Sequence, residues 1–540
     1  MHEGRIAYYV LGEGIVMEPP ASPVSGSHPV PAAATPPPKV APFKFGRMFG
    51  RSCHKLLPVE GKTMFDKLIT LGLCMNDPKT YCQQPVDKGE DKSEIPAGYT
   101  YLGQFMTHEV TFDSTGDLLE VELPPENLRS PQIDLDSLYG GTNGARDRLE
   151  LYEEDRVHLK VGTTAYVTPP GRTFPNDLPR DKTNQENPRK ALIGDKRNDE
   201  NLAVAQTHLA FIRFHNKVVD ELKKDGHYDD DLFECARKQV VRHFQWIILY
   251  DYLPRLVDKN VLDCVMQHGL RWFKVDGADG LFMPLEFSAA AFRIGHSMVR
   301  RTYEWNRYHS TGPLGGPASI LELFQQTGFG KLPDGFSSSA DQPLTTLPSD
   351  WIIDWRRFYD FTPLKPVIPA LDPSEINRSS KLDTVLNFRL DKVVGFPDTK
   401  LEKMQKAITI RNLLRGFYLG LPTGEEVAEW IGETPLTHKE VADGPHEKLL
   451  SDPVFRGKTP LWYYILKEAE LNGGSLLGRV GSRIVAETLV GLIKKSPCSI
   501  LEDPGWRPKF GRPAQGTEPE KFEMIDLLKF ALAEEVNPLG

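Results

Sequence analysis

Cysteine is scarce in this chain. There are six among 540 residues (Cys53, Cys74, Cys82, Cys235, Cys264 and Cys498), and no two form a CxxC pair. A thiolate zinc site and a thioredoxin-type redox site are therefore excluded. The cysteines read as unpaired and the chain as reduced and cytoplasmic, although few disulfides also suit an exported protein of this size. The first residues, MHEGRIAYYVLGEGIVMEPP, lack a secretory apolar core, because glycine and glutamate interrupt it. No apolar run approaches the roughly 18–20 residues that cross a bilayer. A basic excess is also missing. The net charge of −9 and pI of about 5.9 argue against a nucleic-acid or anionic-membrane partner, either of which calls for a basic surface.

Several catalytic signatures are absent too. His108-Glu109 begins like HExxH, but Phe112 stands where the second histidine belongs. Gly335-Phe336-Ser337-Ser338-Ser339 lacks the second glycine of a GxSxG elbow. There is no Walker A sequence, no GxGxxG after a clear strand, and no repeat of fixed period.

What is present is a long helical body. Residues 17–43 are rich in proline, alanine and serine and bury little apolar surface, so residues 1–45 read as a flexible arm and 46–540 as one domain. Leu202, Ala205, Leu209, Ile212, Val219 and Leu222 recur at three-to-four spacing, which predicts an amphipathic helix over 200–224. Similar patterns predict helices over 231–257, ended by Pro254, and over 285–302, 401–418 and 475–495. Strand signals are short, as at 156–162. Long Gly- and Pro-rich loops fill 113–195 and 309–350, and such loops often accompany a functional site.

Three segments carry candidate chemistry. In GQFMTHEVTFD (103–113), Gln104 and His108 are four apart and share a helix face. GDKRNDEN (194–201) is a polar run leading into a helix, where Asn198 or Asp199 suits a cap. In AFRIGHSMV (291–299), His296 falls mid-helix among apolar neighbours, with Arg293 nearby. Each alone has an ordinary explanation, since a lone helical histidine is most often a hydrogen-bonded core residue. His208 and His215 are read that way.

Together these segments resemble the animal-type haem peroxidases, the superfamily that also contains the cyclooxygenases. The distal motif GQFxxHD stands as Gly103-Gln104-Phe105-Met106-Thr107-His108-Glu109, and GDxRxxE as Gly194-Asp195-Lys196-Arg197-Asn198-Asp199-Glu200. The helix motif HTLxxREHN is similar to His208–Asn216, FRxGH is intact at Phe292–His296, and Asn412, Arg415 and Leu421-Pro422 match a downstream segment. The resemblance covers roughly residues 60–510. It implies a mainly α fold: a single large helical haem peroxidase domain with long irregular loops and few short strands.

The resemblance also implies roles. His108 would move the peroxide proton, as a neutral imidazole does well, and Arg197 would meet the charge on the leaving oxygen. Gln104 would hydrogen-bond near the iron. His296 would ligate the haem iron, with Asn412 on its other ring nitrogen. Arg293 and Arg415 would pair with the propionates. The expected activity is reduction of hydrogen peroxide through a ferryl intermediate, with oxidation of a small donor, a phenol or a halide.

Departures from the family's pattern refine this reading. Thr107 replaces the aspartate that esterifies haem in mammalian members, while Glu200, at the second ester position, remains. Haem b held without a covalent tether is expected. A family calcium site implies Glu109, Ser130, Gln132, Asp134 and Asp136 as oxygen ligands. The alternatives are a haem-dependent oxygenase or dioxygenase acting on a fatty acid or other organic substrate, and a non-enzymatic binding module. Arg293, where cyclooxygenases carry a tyrosine, counts against the oxygenase.

Overall fold

The computed structural model describes residues 7–10, 14–17, 43–49, 61–82, 92–112, 126–127, 129–141, 148–184, 187–226, 231–276, 280–328, 345–386, 407–513 and 520–540. Most of the proline-rich stretch lies outside them. Within the expected arm, Ala7–Val10 and Gly14–Met17 pair as an antiparallel hairpin. Phe43–Gly46 already joins the body, pairing with Glu126–Asn127 and Met283–Pro284.

The architecture is mainly α with short strands, as the resemblance implies. Its principal helices are α1 (Gly61–Asn76), α2 (Gly98–Val110), α3 (Leu202–Lys224), α4 (Leu232–Ile247), the single turn α5 (Gly295–Met298), α6 (Ile408–Tyr418), α7 (Leu461–Leu471), α8 (Arg479–Lys495) and α9 (Met524–Leu532). α3 is the central rod, packed by α2, α4 and α9. Phe105 of α2 stacks on Phe211 of α3 at 4.8 Å, and Phe244 of α4 meets Phe211 edge-on at 5.2 Å. This aromatic knot buries large apolar faces and fixes how α2 lies on α3.

Two π-helical turns interrupt the bundle, at Ile248–Tyr252 and Phe287–Ala291. Such turns widen a helix and re-aim the side chains that follow. The second corrects the expected continuous helix over 285–302. The chain unwinds at 292–294, and His296 sits on the separate turn α5. Residues 156–162 form bends and isolated bridges rather than a strand. The helix expected to stop at Pro254 passes through the π turn and ends only at Leu256. Cysteine pairing also differs from expectation: Cys74 and Cys82 form a disulfide.

Buried charge ties loops to helices. Glu487 in α8 is fully buried, and one carboxylate oxygen accepts the backbone N–H groups of Arg271, Trp272 and Phe273 at 3.1, 2.6 and 2.9 Å. Removing the acceptor leaves three backbone donors without it, the one at Phe273 buried. Glu487→Ala is expected to lose about 3 kcal/mol or more of unfolding free energy in denaturant titration, with Glu487→Gln losing less because it keeps an acceptor.

Candidate active site

α2 delivers the first candidate histidine to a buried polar cluster. His108 is 1% exposed, and its Nδ1 donates to Asn198 Oδ1 at 2.8 Å. Asn198 Nδ2 in turn donates to His208 Nδ1 at 3.0 Å. Asn198 is itself fully buried, so its two-sided amide sets the His108 tautomer: Nδ1 carries the hydrogen and Nε2 keeps a lone pair. Nε2 has no hydrogen-bond partner and lies 3.7 Å from a Glu200 carboxylate oxygen. Burial, then the nearby Arg197 charge, lowers the His108 pKa to about 3.

The polar run 194–201 thus does more than cap a helix. Asn201 is the α3 cap, accepting from Val204 N at 3.0 Å, and it also donates to Gln104 Oε1 at 3.0 Å. Gln104 Nε2 donates to Glu200 in a very short contact. Asp199 instead pairs with Arg180, and Asp195 caps the 3-10 turn that carries Arg197. Sequence reasoning gives Asn198 only a capping role and His208 a structural one; the available signal is that Asn198 follows Arg197 inside the arginine motif and His208 opens the helix motif after it. His215 is structural as expected, bonded to Tyr139 at 3.1 Å and to the Val157 carbonyl at 2.9 Å.

Arg197 does not reach toward the cavity. Its guanidinium donates to Asp195 at 2.7 Å and to the His108 carbonyl at 2.8 Å, and lies 4.4 Å from the Phe112 ring centre. It braces the end of α2 from behind. Arg129 continues the chain of charge, 2.7 Å from Asp195 and 3.5 Å from Asp136.

A cavity partly open to solvent lies between α2 and α5. Gln104 and Thr107 wall one side, and Phe292, Arg293 and His296 another. Tyr252, delivered by the first π turn, closes a third; its hydroxyl sits where a Cβ on Gly103 would intrude, which explains a glycine there. Arg293 Nε donates to the Ser288 carbonyl at 2.8 Å. Arg415 is half-buried and is not among the cavity-lining residues.

His296 Nδ1 lies 2.9 Å from the Asn412 amide nitrogen, while Asn412 Oδ1 is buried with no hydrogen-bond partner. Amide oxygen and nitrogen are interchangeable in this position, and with the oxygen set against His296 the contact reverses its direction. His296 Nδ1–H then donates to the oxygen, and Nε2 is left with a lone pair. That is the donor arrangement of a metal-ligating histidine held by a second group. A planar iron porphyrin fits this set: an imidazole ligand, an arginine on the wall and apolar sides.

The acidic loop gathers a second donor set. Carboxylate oxygens of Glu109, Asp134 and Asp136 lie within 4.8 Å of one another, all buried. Glu109 accepts backbone N–H groups of Asp134 at 3.2 Å, Ser137 at 3.1 Å, and Leu135. Leu135 is held there in the left-handed region, at φ 59°. Both Asp134 oxygens have no hydrogen-bond partner. Burial raises all three carboxyls, Asp136 to about 7. Ser130 adjoins this set through its N–H, 3.4 Å from Asp136; its Oγ donates to Gln132 Oε1 at 3.1 Å, and Gln132 Nε2 to the Lys495 carbonyl at 2.9 Å.

Residues 97–329 match the family model described as "Animal haem peroxidase". The likeness to the animal haem peroxidase family is shown over that stretch of the chain. Among curated relatives, the dual oxidase of Drosophila melanogaster is 28% identical over 244 residues, 45% of this chain and 13% of that protein. A peroxidase-like protein of Margaritifera margaritifera is 31% identical over 210 residues, 37% of this chain and 24% of that protein. The matched stretch is thus a small part of each relative. Two solved structures share the fold. Peroxidase A from Dictyostelium discoideum aligns at TM-score 0.54 and 16% identity, covering 87% of this chain and 92% of its own. The fatty acid alpha-dioxygenase of Oryza sativa aligns at 0.51 and 12%, covering 87% and 77%.

The Asn198 contact has a direct readout. An unfolded histidine takes its proton near pH 6.5, whereas folded His108 does so only near 3. Folded-state stability from burying it neutral is therefore complete above about 6.5 and drains as pH falls toward 3. Nitrogen NMR should show His108 neutral at pH 5 with Nδ1 protonated. Asn198→Ala should lose that tautomer preference and lower the unfolding free energy by about 1–3 kcal/mol. A His108 titration midpoint near its unfolded value would contradict the geometry.

Proposed function

We propose that this chain is a haem-dependent peroxidase, reducing hydrogen peroxide and oxidising a small donor such as a phenol or a halide. The observation that carries the reading is a pair of histidines, each with Nδ1 against a buried asparagine amide: His296 lines the cavity, and His108 lies behind its wall on α2, next to the lining residue Thr107. Bound haem supplies the redox-active iron that peroxide oxidises and the donor restores.

The protein's own groups then divide the work. His296 Nε2 holds the iron, and Asn412 fixes its tautomer and strengthens it as a ligand. His108 Nε2 takes the peroxide proton and returns it to the leaving oxygen; its lowered pKa keeps it neutral and ready as a base. Gln104, on the cavity wall, would orient peroxide by hydrogen bonding. Arg197 acts through position: by holding the His108 carbonyl and Asp195, it fixes the end of α2. Arg293 is assigned to a propionate. Thr107 lines the cavity without a carboxylate to tether haem, and the Glu200 carboxylate is engaged by Gln104, so haem is held non-covalently. The oxygenase alternative is not adopted, because Arg293 stands three residues before His296.

The same reading assigns a calcium ion to Glu109, Asp134 and Asp136, where hard carboxylate oxygens converge and burial disfavours their charge. Glu109 follows His108 directly, so the ion would stiffen the end of α2.

The purified chain should take up haem and show a Soret band that shifts on adding peroxide. His296→Ala should lose haem, whereas His108→Ala should keep it and react with peroxide about 10²–10⁴-fold more slowly. Acid extraction should free the haem from the polypeptide, as mass spectrometry will show. A chain that takes up no haem would overturn the reading. For the cation, a chelator should lower the melting temperature and added calcium restore it, with Asp134→Asn abolishing both effects.

A further inference from the structure

A row of oxidisable rings leaves the cavity on the Tyr252 side. Tyr252 lines the cavity, Tyr99 lies 6.5 Å from it between ring centres, Tyr359 lies 5.0 Å from Tyr99, and Trp355 lies 6.0 Å from Tyr359. All four are buried. Tyrosine and tryptophan are the side chains whose rings give up one electron most readily, and electron tunnelling falls steeply with distance, so near-contact spacing matters. A second row, Tyr101 to Tyr303 to Phe358, reaches a phenylalanine at its third member, which cannot serve as such a step.

Tyr99 also has a place to put its proton. Its hydroxyl donates to Asp251 Oδ1 at 2.7 Å, deep in the protein. A phenol that loses an electron becomes a strong acid and must release its proton to a base already in contact. Arg255 at 2.8 Å and the Met524 N–H at 2.8 Å hold Asp251 in place. Burial raises the Asp251 carboxyl, which makes it a better acceptor, and holds the Tyr99 phenol well above its ordinary range, so the proton starts on Tyr99. Arg255 covers the Tyr99 ring face at 4.8 Å. Neither Tyr99 nor Asp251 has a part in the chemistry proposed above.

We propose that Tyr99, with Asp251 as its proton acceptor and Tyr252 as the step to the cavity, is a redox-active tyrosine that carries an oxidising equivalent toward Tyr359 and Trp355. This rests on the reading of the cavity as a peroxide-reducing haem site. Hydrogen peroxide takes two electrons and two protons to become two waters. When donor is scarce, Tyr99 supplies one of those electrons through the Tyr252 ring, the bound haem would supply the other, and solvent supplies the two protons. Its O–H bond breaks, the proton passes to Asp251, and a neutral tyrosyl remains beside a protonated carboxyl. A small phenol later returns one electron and one proton and leaves as a phenoxyl radical.

The test uses the full chain loaded with haem and an equimolar amount of hydrogen peroxide, without donor. The visible spectrum, freeze-quench electron paramagnetic resonance and nitroso spin-trap adducts mapped by peptide mass spectrometry are read on the same samples. A tyrosyl signal and an adduct on Tyr99 are expected. Tyr99→Phe should keep the optical response and lose both that adduct and any on Trp355. An optical response with unchanged radical signal and Trp355 adduct in Tyr99→Phe overturns this proposal alone. No optical response in the parent overturns the haem reading with it. Should Tyr99→Phe fail to fold, Tyr359→Phe should retain the Tyr99 adduct and lose that on Trp355; an undiminished Trp355 adduct overturns the proposal.

Discussion

The Asn198 carboxamide is the contact on which the rest of the site depends. A buried imidazole has two ring nitrogens and one hydrogen, and without a fixed neighbour either nitrogen can carry it. Asn198 accepts from His108 and donates to His208, so one amide orientation decides which His108 nitrogen has its lone pair free. A hydroxyl would rotate and a carboxylate would only accept. An amide in a closed space has separate donor and acceptor ends, and so transmits a definite hydrogen position.

The same polar run solves an electrostatic problem. Arg197 and Asp195 are buried together, and each would be costly alone. They are paired, Arg129 joins Asp195 to Asp136, and Arg197 spends a further hydrogen bond on the His108 carbonyl. The acidic loop and the end of α2 are thereby parts of one charged network. The two π turns contribute differently: by widening their helices they bring Tyr252 and then Phe292 and Arg293 to the cavity wall.

Much of this was legible beforehand. Helical periodicity located α3, α4 and α8 to within a few residues, because each buries an apolar stripe along its length; of the helix expected over 401–418, 401–406 lie outside the described residues and α6 begins at Ile408. The motif around His296 was legible, but its helix was not. Residues 285–302 have helical spacing throughout, yet a π turn and an unwound segment break them, since packing against α6, α7 and α8 outweighs local preference. Cys74 and Cys82 looked unrelated in spacing; the end of α1 and the turn after it bring them together.

The sequence by itself determined which chemical groups are present and the order in which they occur: two histidines in separate motifs, an arginine between them, an asparagine downstream, and acidic residues clustered in one loop. Their bearings were decided only in three dimensions. Arg197 faces the backbone of α2, Glu200 faces His108, Asn412 meets His296, and Gln132 reaches the Lys495 carbonyl. The physical reason is that a motif specifies side chains, whereas direction comes from which buried donors and acceptors can be satisfied at once, and those partners lie tens to hundreds of residues apart.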